Sequence, residues 1–244
     1  MIESVLITGS SRRLGSLIAR DLALSGAFVW IHYRSGKVQA ETLKQEIRNY
    51  GGEAECVAAD LTDTDQIDAM LEKVGSTESG ALTTLINNAS LFLNGRLEDT
   101  DVCDWDRVLN TNLKAVWYLS SRFVSLFPSA GRIITIGDAS TSGVYTEHAV
   151  YGLSKYALKY LTEQMAASFY PRVSVNLLSP GFVLKGKNEP DRKWNERLEQ
   201  TLLDNGKITE QILKSIRYLM SDPGMTGSEL LIDNGLHLRS KMKL

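Results

Sequence analysis

The chain has little of what marks secreted, membrane-spanning or nucleic-acid-binding proteins. Its two cysteines, Cys56 and Cys103, are too few for a disulfide framework and lack metal-ligand spacing. No apolar run approaches the ~18 residues that span a bilayer, and the N-terminus enters a strand-like run without a basic leader. A net charge of −2 gives no bulk attraction to nucleic acid or membranes. We therefore expect a cytoplasmic protein in a reducing setting, without nucleic-acid or membrane partners.

Histidine and proline are also scarce. The three histidines, His32, His148 and His237, form no cluster in the sequence, which argues against a metal site or a catalytic triad. Two of the five prolines, Pro171 and Pro180, are predicted to lie between structural elements. The run Asp222-Pro223-Gly224 is expected to close the last helix.

Short apolar runs alternate with amphipathic segments along the chain, which predicts βαβ units with right-handed crossovers. We predict one domain, residues 1–244, with a doubly wound, Rossmann-like α/β fold: a seven-stranded parallel sheet with helices on both faces. The predicted strands are 5–7, 28–32, 55–58, 82–86, 133–136, 173–176 and 230–232. The predicted helices are 14–24, 38–50, 64–74, 105–127, 151–168 and 210–220.

One long polar segment, residues 182–207, interrupts this alternation. A long insertion in a compact domain is either a lid over a binding site or a solvated surface loop. The segment follows the sixth predicted strand, at the carboxyl edge of the sheet where such folds bind ligands. This position favours a substrate loop or lid.

A glycine-containing loop, Thr8-Gly9-Ser10-Ser11-Arg12-Arg13-Leu14-Gly15, links the first strand to the first helix. A dinucleotide pyrophosphate needs a tight turn, close approach of the backbone and a helix N-terminus facing its charge. Gly9 and Gly15 can supply the turn and the helix start. A glycine-rich loop alone is a weak indication, but here the strand before it and the helix after it are both present.

The second strand ends at Ile31-His32-Tyr33-Arg34-Ser35, without the acidic residue that usually binds a free ribose 2′-hydroxyl. Arg34, together with Arg12 and Arg13 on the facing loop, offers guanidinium groups that bind phosphate bidentately. We therefore predict NADPH rather than NADH as the cofactor. The alternative is that these arginines are only surface residues.

Polar residues also follow the next two strands. Asp60 could accept a hydrogen bond from the adenine amino group, or it could help to cap the next helix. Asn88 could tie strands together and line the cofactor groove, or it could simply form a turn. Both residues are predicted to lie at the cofactor site.

Tyr151 and Lys155 are one helical turn apart, so they share a helix face. A phenol titrates near ~10, and a nearby ammonium lowers that pKa. Tyr151 is therefore a candidate general acid or base.

At this point the chain resembles the short-chain dehydrogenase/reductase family over essentially its whole length. The matching motifs are the loop from Thr8 to Gly15, Asn87-Asn88-Ala89, Asn112, Tyr151 with Lys155, and Pro180-Gly181. The resemblance implies that Tyr151 protonates the substrate, Lys155 binds the nicotinamide ribose and Asn112 holds a water in a proton relay. It also implies a homotetramer. The cofactor-binding residues that we predict are Gly9, Arg12, Arg13, Leu14, Gly15, His32, Tyr33, Arg34, Ser35, Asp60, Leu61, Asn88, Ala89, Ser90, Tyr151, Lys155, Pro180 and Gly181.

Two departures from the family pattern look like the pteridine reductase and dihydromonapterin reductase branch. Asp138 stands where the family has a serine, and Arg13 replaces the middle glycine of the loop. The branch resemblance implies that Arg13 touches both the cofactor phosphate and the substrate, that Ser90 contacts the substrate and that Phe92 stacks on the pterin. Asp138 and Tyr151 complete the predicted substrate site.

The chemistry of Asp138 agrees with this branch. A ketone oxygen gains negative charge as hydride arrives, so nearby donors are needed. A serine hydroxyl donates, whereas an ionised carboxylate repels the oxyanion, so Asp138 would have to be protonated. A pterin carries amino and ring N–H donors that a carboxylate accepts, and Phe92 could stack on its flat ring. The alternatives are that Asp138 is an ordinary turn residue and that Phe92 is a buried loop anchor.

Three hypotheses follow. The leading one is an NADPH-dependent reductase of the C=N bond in a dihydropterin of the dihydromonapterin, dihydrobiopterin or dihydrofolate class. The rival is an NADPH-dependent carbonyl reductase, such as a 3-oxoacyl-thioester reductase, which segment 131–137 also resembles. The third is a non-catalytic dinucleotide-binding module, against which Asn112, Tyr151 and Lys155 argue.

Overall fold

The computed structural model describes residues 3–76, 82–203, 208–221 and 224–239. Its strands are β1 (Ser4–Ile7), β2 (Phe28–Tyr33), β3 (Glu53–Ala58), β4 (Leu82–Asn87), β5 (Arg132–Ile136), β6 (Ser174–Pro180) and β7 (Glu229–Ile232). Its helices are α1 (Arg13–Leu24), α2 (Lys37–Asn49), α3 (Thr64–Gly75), α4 (Val102–Leu109), α5 (Ala115–Leu126), α6 (Ala149–Phe169), α7 (Asp191–Leu198), α8 (Ile208–Ser221) and α9 (Leu236–Arg239).

The strands form one parallel sheet in the order β3-β2-β1-β4-β5-β6-β7. β1 lies between β2 and β4, with Val5 opposite Val29 on one side and Thr84 on the other. The direction of winding reverses between β1 and β4, and the carboxyl ends of strands at such a point form a crevice for ligands. The predicted doubly wound, Rossmann-like fold is confirmed.

A hydrophobic core lies on each face of the sheet. Successive residues of a strand point to opposite faces, and β1 is buried on both. Val5 and Ile7 pack with residues of α1, α2 and α8, whereas Leu6 packs with residues of α3, α5 and α6. Burial on both faces explains why the strands are short, unbroken apolar runs in the sequence.

Some predicted boundaries were wrong. The predicted helix 105–127 begins at Val102, and a π-turn at Asn110–Lys114 divides it into α4 and α5. The sixth strand continues to Pro180, which therefore does not lie between elements. Pairing with β5 stops at Leu178, so the missing N–H of Pro180 removes no bond to that strand.

The polar segment 182–207 is not all loop, because it contains α7. Its residues 204–207 lie outside the described residues, so the predicted end of the segment is not described. The same holds for Asp222 and Pro223, with which the last long helix was predicted to close.

Candidate active site

A cavity of about 570 Å³ lies at the carboxyl ends of the strands, where the winding reverses. Residues from the loops after β1 to β6 and from α7 line it. The structure brings every predicted site residue to this lining except Asn112. The cavity therefore has the position that the sequence indicates for a cofactor and its substrate.

The turn after β1 allows close approach of the backbone. Gly9 has a φ of +63°, and a Cβ there would lie 2.9 Å from the Cα of Ala89. The Oγ1 of Thr8 accepts hydrogen bonds from the N–H groups of Asn88 (2.9 Å) and Ala89 (3.0 Å), which joins the loops after β1 and β4. A Cβ on Gly15 would lie 2.6 Å from Nδ2 of Asn88, so α1 begins directly against this junction. The helix N-terminus lines the cavity, in the arrangement that binds a pyrophosphate.

His32 supports this turn from within the protein. Its Nδ1 accepts a hydrogen bond from the N–H of Gly9 at 2.8 Å, and its Nε2 lies 3.1 Å from the carbonyl oxygen of Ala59. These partners require the neutral tautomer with the proton on Nε2. Burial lowers the pKa of His32 to about 4, although the Ala59 carbonyl and Asp60 act in the opposite direction. The sequence predicted a direct cofactor contact, but both ring nitrogens are bonded within the protein.

Two arginines meet at the end of β2. The Nη2 of Arg12 lies 3.4 Å from the position that a Cβ on Gly36 would take, and Arg34 lines the cavity from the same loop. Neither guanidinium forms an ion pair with another of the described residues. Burial raises the pKa of Asp60, but hydrogen bonds from Thr62 and the charge of Arg34 outweigh it and lower that pKa. Two unpaired cations in the lining of this part of the cavity fit a phosphate on the ribose better than a hydroxyl.

Arg13 joins the cofactor loop to the polar segment. It occupies the left-handed region with a φ of +52°, where the family pattern has glycine. Its guanidinium donates to the carbonyl oxygens of Leu184 (3.2 Å) and Lys185 (3.3 Å). Its side chain therefore lies where the cofactor loop and the segment after β6 meet.

Asp138 and Tyr151 form a hydrogen-bonded pair inside the cavity. The Tyr151 hydroxyl donates to Oδ2 of Asp138 at 2.7 Å, and the N–H of Ser140 donates to Oδ1 at 2.8 Å. Burial, reinforced by the carboxylate of Asp138, raises the pKa of Tyr151 well above the usual value for a phenol. The expectation that Lys155 lowers this pKa was therefore wrong.

Lys155 is buried, with 5% of its surface exposed. Its Nζ donates to the carbonyl oxygen of Ile136 at 2.7 Å and lies 5.8 Å from the ring centre of Tyr151. Burial lowers the pKa of Lys155 to about 8, although Asp138 acts to raise it. The ammonium is thus held beneath Tyr151 rather than in contact with its hydroxyl.

Asn112 lies behind the cavity, in the π-turn. Its Oδ1 accepts from the N–H of Leu91 (2.7 Å) and the hydroxyl of Ser90 (3.3 Å), and its Nδ2 donates to Leu91 O and Ser154 Oγ, each at 3.0 Å. An amide side chain offers two acceptor and two donor positions, so all of them are used. The side chain fastens the loop after β4 to α6 and has no capacity left for the relay water that the resemblance implies.

Aromatic rings surround the Tyr151 hydroxyl. The ring centre of Phe92 lies 4.6 Å from that of Tyr151, edge to face, and 4.0 Å from that of His148. Phe92 is 52% exposed, so it is not the buried anchor that the packing alternative required. Tyr145 stands 6.0 Å from Tyr151 on another side. A flat ring entering the cavity would meet these faces.

Sequence reasoning missed Ser140 and Tyr145 of the cavity lining, and it placed Val183, Leu184, Trp194 and Arg197 in the predicted substrate loop without naming them as site residues. Trp194 and Leu198 are four residues apart in the stretch 191–198, which is otherwise polar, so this spacing could have indicated α7. Tyr145 lies in an irregular stretch before α6, and no pattern in the sequence marks it.

Metal ligands and membrane spans are missing from the part of the chain that the structure describes. It holds no group of three or more His, Cys, Asp or Glu side chains placed to bind a metal ion. None of its helices combines the length and the apolar character needed to cross a membrane.

Known proteins of similar sequence and structure are reductases. The family model described as enoyl-(acyl carrier protein) reductase matches residues 9–237. The 3-oxoacyl-[acyl-carrier-protein] reductase FabG of Staphylococcus aureus is 28% identical over an alignment 254 residues long, which covers 98% of this chain and 99% of that protein. Among solved structures, FolM alternative dihydrofolate reductase 1 from Brucella canis, complexed with NADP, has a TM-score of 0.91 at 28% identity over 97% of this chain and 94% of that one. The angucycline C-6 ketoreductase LanV with bound NADP has a TM-score of 0.87 at 26% identity, over 97% of this chain and 96% of that one.

Proposed function

This chain belongs to the short-chain dehydrogenase/reductase family and is an NADP(H)-dependent reductase; we propose that its substrate is a dihydropterin, whose C=N bond it reduces. The observation that carries this choice is the 2.7 Å hydrogen bond from the Tyr151 hydroxyl to Asp138. The proton donor of the reaction thus lies beside a carboxylate. The likeness to a FolM dihydrofolate reductase structure supports the same choice.

The residues at the cofactor end fit NADPH. The Gly9 turn and the first residues of α1 would receive the pyrophosphate, and Arg12 and Arg34 the 2′-phosphate. Lys155 would hold the nicotinamide ribose, in keeping with its position beneath Tyr151. When bound, NADPH supplies the hydride.

Asp138 selects for a substrate that donates hydrogen bonds. An ionised carboxylate only accepts, and its two oxygens offer about four lone-pair positions, of which Ser140 and Tyr151 use two. The amino group and ring N–H of a pterin can fill the others. A ketone oxygen brings no donor, and its developing charge is repelled by the carboxylate.

Tyr151 supplies the proton. Its raised pKa keeps the hydroxyl protonated before the reaction, so that it can donate to the substrate nitrogen as the neighbouring carbon receives hydride. The phenolate left behind would be stabilised by the ammonium of Lys155, which lies 5.8 Å from the Tyr151 ring centre. Asp138 orients the substrate, or takes up a proton from solvent and relays it to Tyr151, to which it is already hydrogen-bonded.

Three further residues would contact the substrate. Phe92 offers an exposed ring face beside Tyr151, suited to stacking on a flat heterocycle. Ser90 lines the cavity on the same loop, and Arg13 lies between the cofactor loop and the segment after β6. These positions are those at which the branch resemblance implies substrate contacts.

A carbonyl reductase is the second candidate. It is favoured by the match to FabG, a 3-oxoacyl-[acyl-carrier-protein] reductase, over nearly the full length of both chains. In that case Asp138 would have to carry a proton to serve as a donor to the ketone oxygen.

The rate of NADPH oxidation distinguishes the two candidates. The purified protein is offered dihydromonapterin, dihydrobiopterin and dihydrofolate, and separately an acetoacetyl thioester. We expect turnover of at least one dihydropterin with a kcat/KM well above that for the thioester. Rapid turnover of the thioester with none of the dihydropterins would overturn the proposal.

We also infer a homotetramer that forms through α5 and α6. Large apolar side chains are exposed on these helices: Trp117 (49%), Tyr156 (64%) and Tyr160 (66%). Their burial against a second copy would remove apolar surface from water. Light scattering should give four times the mass of one chain, and Tyr156→Glu should lower it. A monomeric wild-type protein would contradict the inference.

A further inference from the structure

The cavity lining carries a second group of aromatic and cationic side chains, in addition to the arginines of the cofactor end. This outer wall consists of Tyr145, Phe182, Trp194 and Arg197, all of which line the cavity. The guanidinium carbon of Arg197 lies 5.7 Å from the ring centre of Phe182. Trp194 lies one helical turn before Arg197 on α7, so the two side chains share a face of that helix.

Asp138 and Arg197 give the lining of one cavity side chains of opposite charge. Tyr145 lines the same cavity. Burial and then Asp138 raise the pKa of Tyr145 to about 12, whereas Ser140 and Arg197 act to lower it. A complementary substrate has hydrogen-bond donors at one end and an anion at the other.

Arg197 keeps binding capacity for an anion. It contacts Glu189 through Nε alone, at 3.2 Å from Oε1, and the other oxygen of Glu189 accepts from the N–H of Gly186. This pair is therefore monodentate, and the two terminal nitrogens take no part in it. A guanidinium can bind a carboxylate through such nitrogens.

We propose that the outer wall is a subsite for a substrate tail made of an aryl ring that leads to a carboxylate. The inference rests on the proposed function and names the class of dihydropterin: the dihydrofolate type, rather than one with a short polyol tail. The aryl ring packs between Trp194, Phe182 and Tyr145, and the carboxylate binds Arg197. A polyol tail would leave both the aromatic faces and the cation without a matching group.

The test compares two substrates across matched variants. Steady-state kinetics are measured with dihydrofolate and with dihydromonapterin for wild type, Arg197→Gln, Glu189→Gln and Arg192→Gln. Glu189→Gln weakens the ion pair of Arg197 but keeps the cation. Arg192→Gln removes a cation from the same helix whose side chain is 89% exposed and does not line the cavity.

We expect wild type to prefer dihydrofolate in kcat/KM. Arg197→Gln should raise the KM for dihydrofolate about tenfold with little change in kcat, because a charge-assisted contact present in both ground and transition states is lost. The KM for dihydromonapterin should change less than about twofold, and so should both KM values in the two control variants. Trp194→Leu should likewise weaken dihydrofolate alone.

Different failures have different meanings. The tail subsite would be overturned if Arg197→Gln raised the KM for both substrates equally, or if Glu189→Gln raised the KM for dihydrofolate as much as Arg197→Gln does. It would also be overturned if Arg197→Gln weakened the affinity for NADPH, or if wild type preferred dihydromonapterin. In those cases dihydropterin reduction still stands. If no dihydropterin is reduced at all, the proposed function fails and the subsite fails with it.

Discussion

The two ends of the cavity are built in different ways. The cofactor end consists of a backbone turn held by hydrogen bonds: the N–H of Gly9 donates to Nδ1 of His32, and Nδ2 of Asn88 donates to the carbonyl oxygens of Thr8 and Gly9. The substrate end consists of Phe92, an exposed ring, and Arg197, a surface cation on α7. The fold itself therefore builds the cofactor end. Under the proposed function, substrate choice would depend on side chains that can change without disturbing the fold.

The largest effect should come from the residue where the two ends meet. Tyr151→Phe removes the proton donor, and general acid catalysis contributes about 10²- to 10⁴-fold to rate. We expect kcat for dihydropterin reduction to fall by that order. The affinity for NADPH, measured by fluorescence titration, should change little. A kcat within a few-fold of wild type would show that another group supplies the proton.

His32 should make the cofactor end sensitive to acid. Its pKa in the folded protein, about 4, lies below the ordinary histidine pKa of 6.5, so the unfolded chain binds more protons between these pH values. The contribution of His32 to the free energy of unfolding should therefore be fully present above pH 6.5. It should be lost as the pH drops towards 4, which lowers the free energy of unfolding by about 3 kcal/mol. Denaturant unfolding at several pH values measures this pH dependence.

The matched variant for this experiment is His32→Gln. It should be less stable than wild type at pH 7, because a buried side chain with two hydrogen bonds is replaced. Its stability should, however, depend less on pH between 6.5 and 4. An unchanged pH dependence in the variant would show that other groups cause the acid sensitivity.

Arg34→Ala tests cofactor choice separately from substrate choice. Loss of a charge-assisted contact to the 2′-phosphate should weaken NADPH binding by about 10- to 100-fold and leave NADH binding almost unchanged. Arg107→Ala, which removes a surface arginine paired with Asp104, is the control. Equal loss of both cofactors would mean that Arg34 supports the loop rather than the phosphate.

The smallest effect should come from the exposed ring at the substrate end. Phe92→Leu keeps an apolar side chain but removes aromatic stacking, which is worth about 1 kcal/mol. We expect the KM for a dihydropterin to rise about fivefold, with no loss of stability because the ring is half exposed. A marked drop in melting temperature would instead assign Phe92 to packing.

The sequence could indicate which residues line the candidate cofactor end of the cavity because their spacings are local. Gly9 and Gly15 stand at fixed distances from a strand end and a helix start, and Tyr151 and Lys155 are one turn apart on a single helix. Such spacings follow from backbone geometry alone. The order of the sheet follows from the same alternation of strands and helices.

The features of the site that the sequence did not predict depend on contacts between distant segments. His32 follows the pattern of a cofactor ligand, but burial and the carbonyl of Ala59 make it a support for the turn. The pKa of Tyr151 was predicted from Lys155 alone, whereas burial and the contact with Asp138 decide its direction. Arg197 reaches the cavity only because α7 folds back over the sheet edge, which no periodic pattern reveals.

The role of Asp138 can be tested most directly by the ratio of two kcat/KM values, one for a dihydropterin and one for an acetoacetyl thioester, in wild type and in Asp138→Ser. Replacement removes the carboxylate that accepts from Tyr151 and introduces a donor. We predict that kcat/KM for the dihydropterin falls about tenfold or more while that for the thioester stays equal or rises. An Asp138→Ser variant that reduces the dihydropterin as well as wild type does would contradict the account.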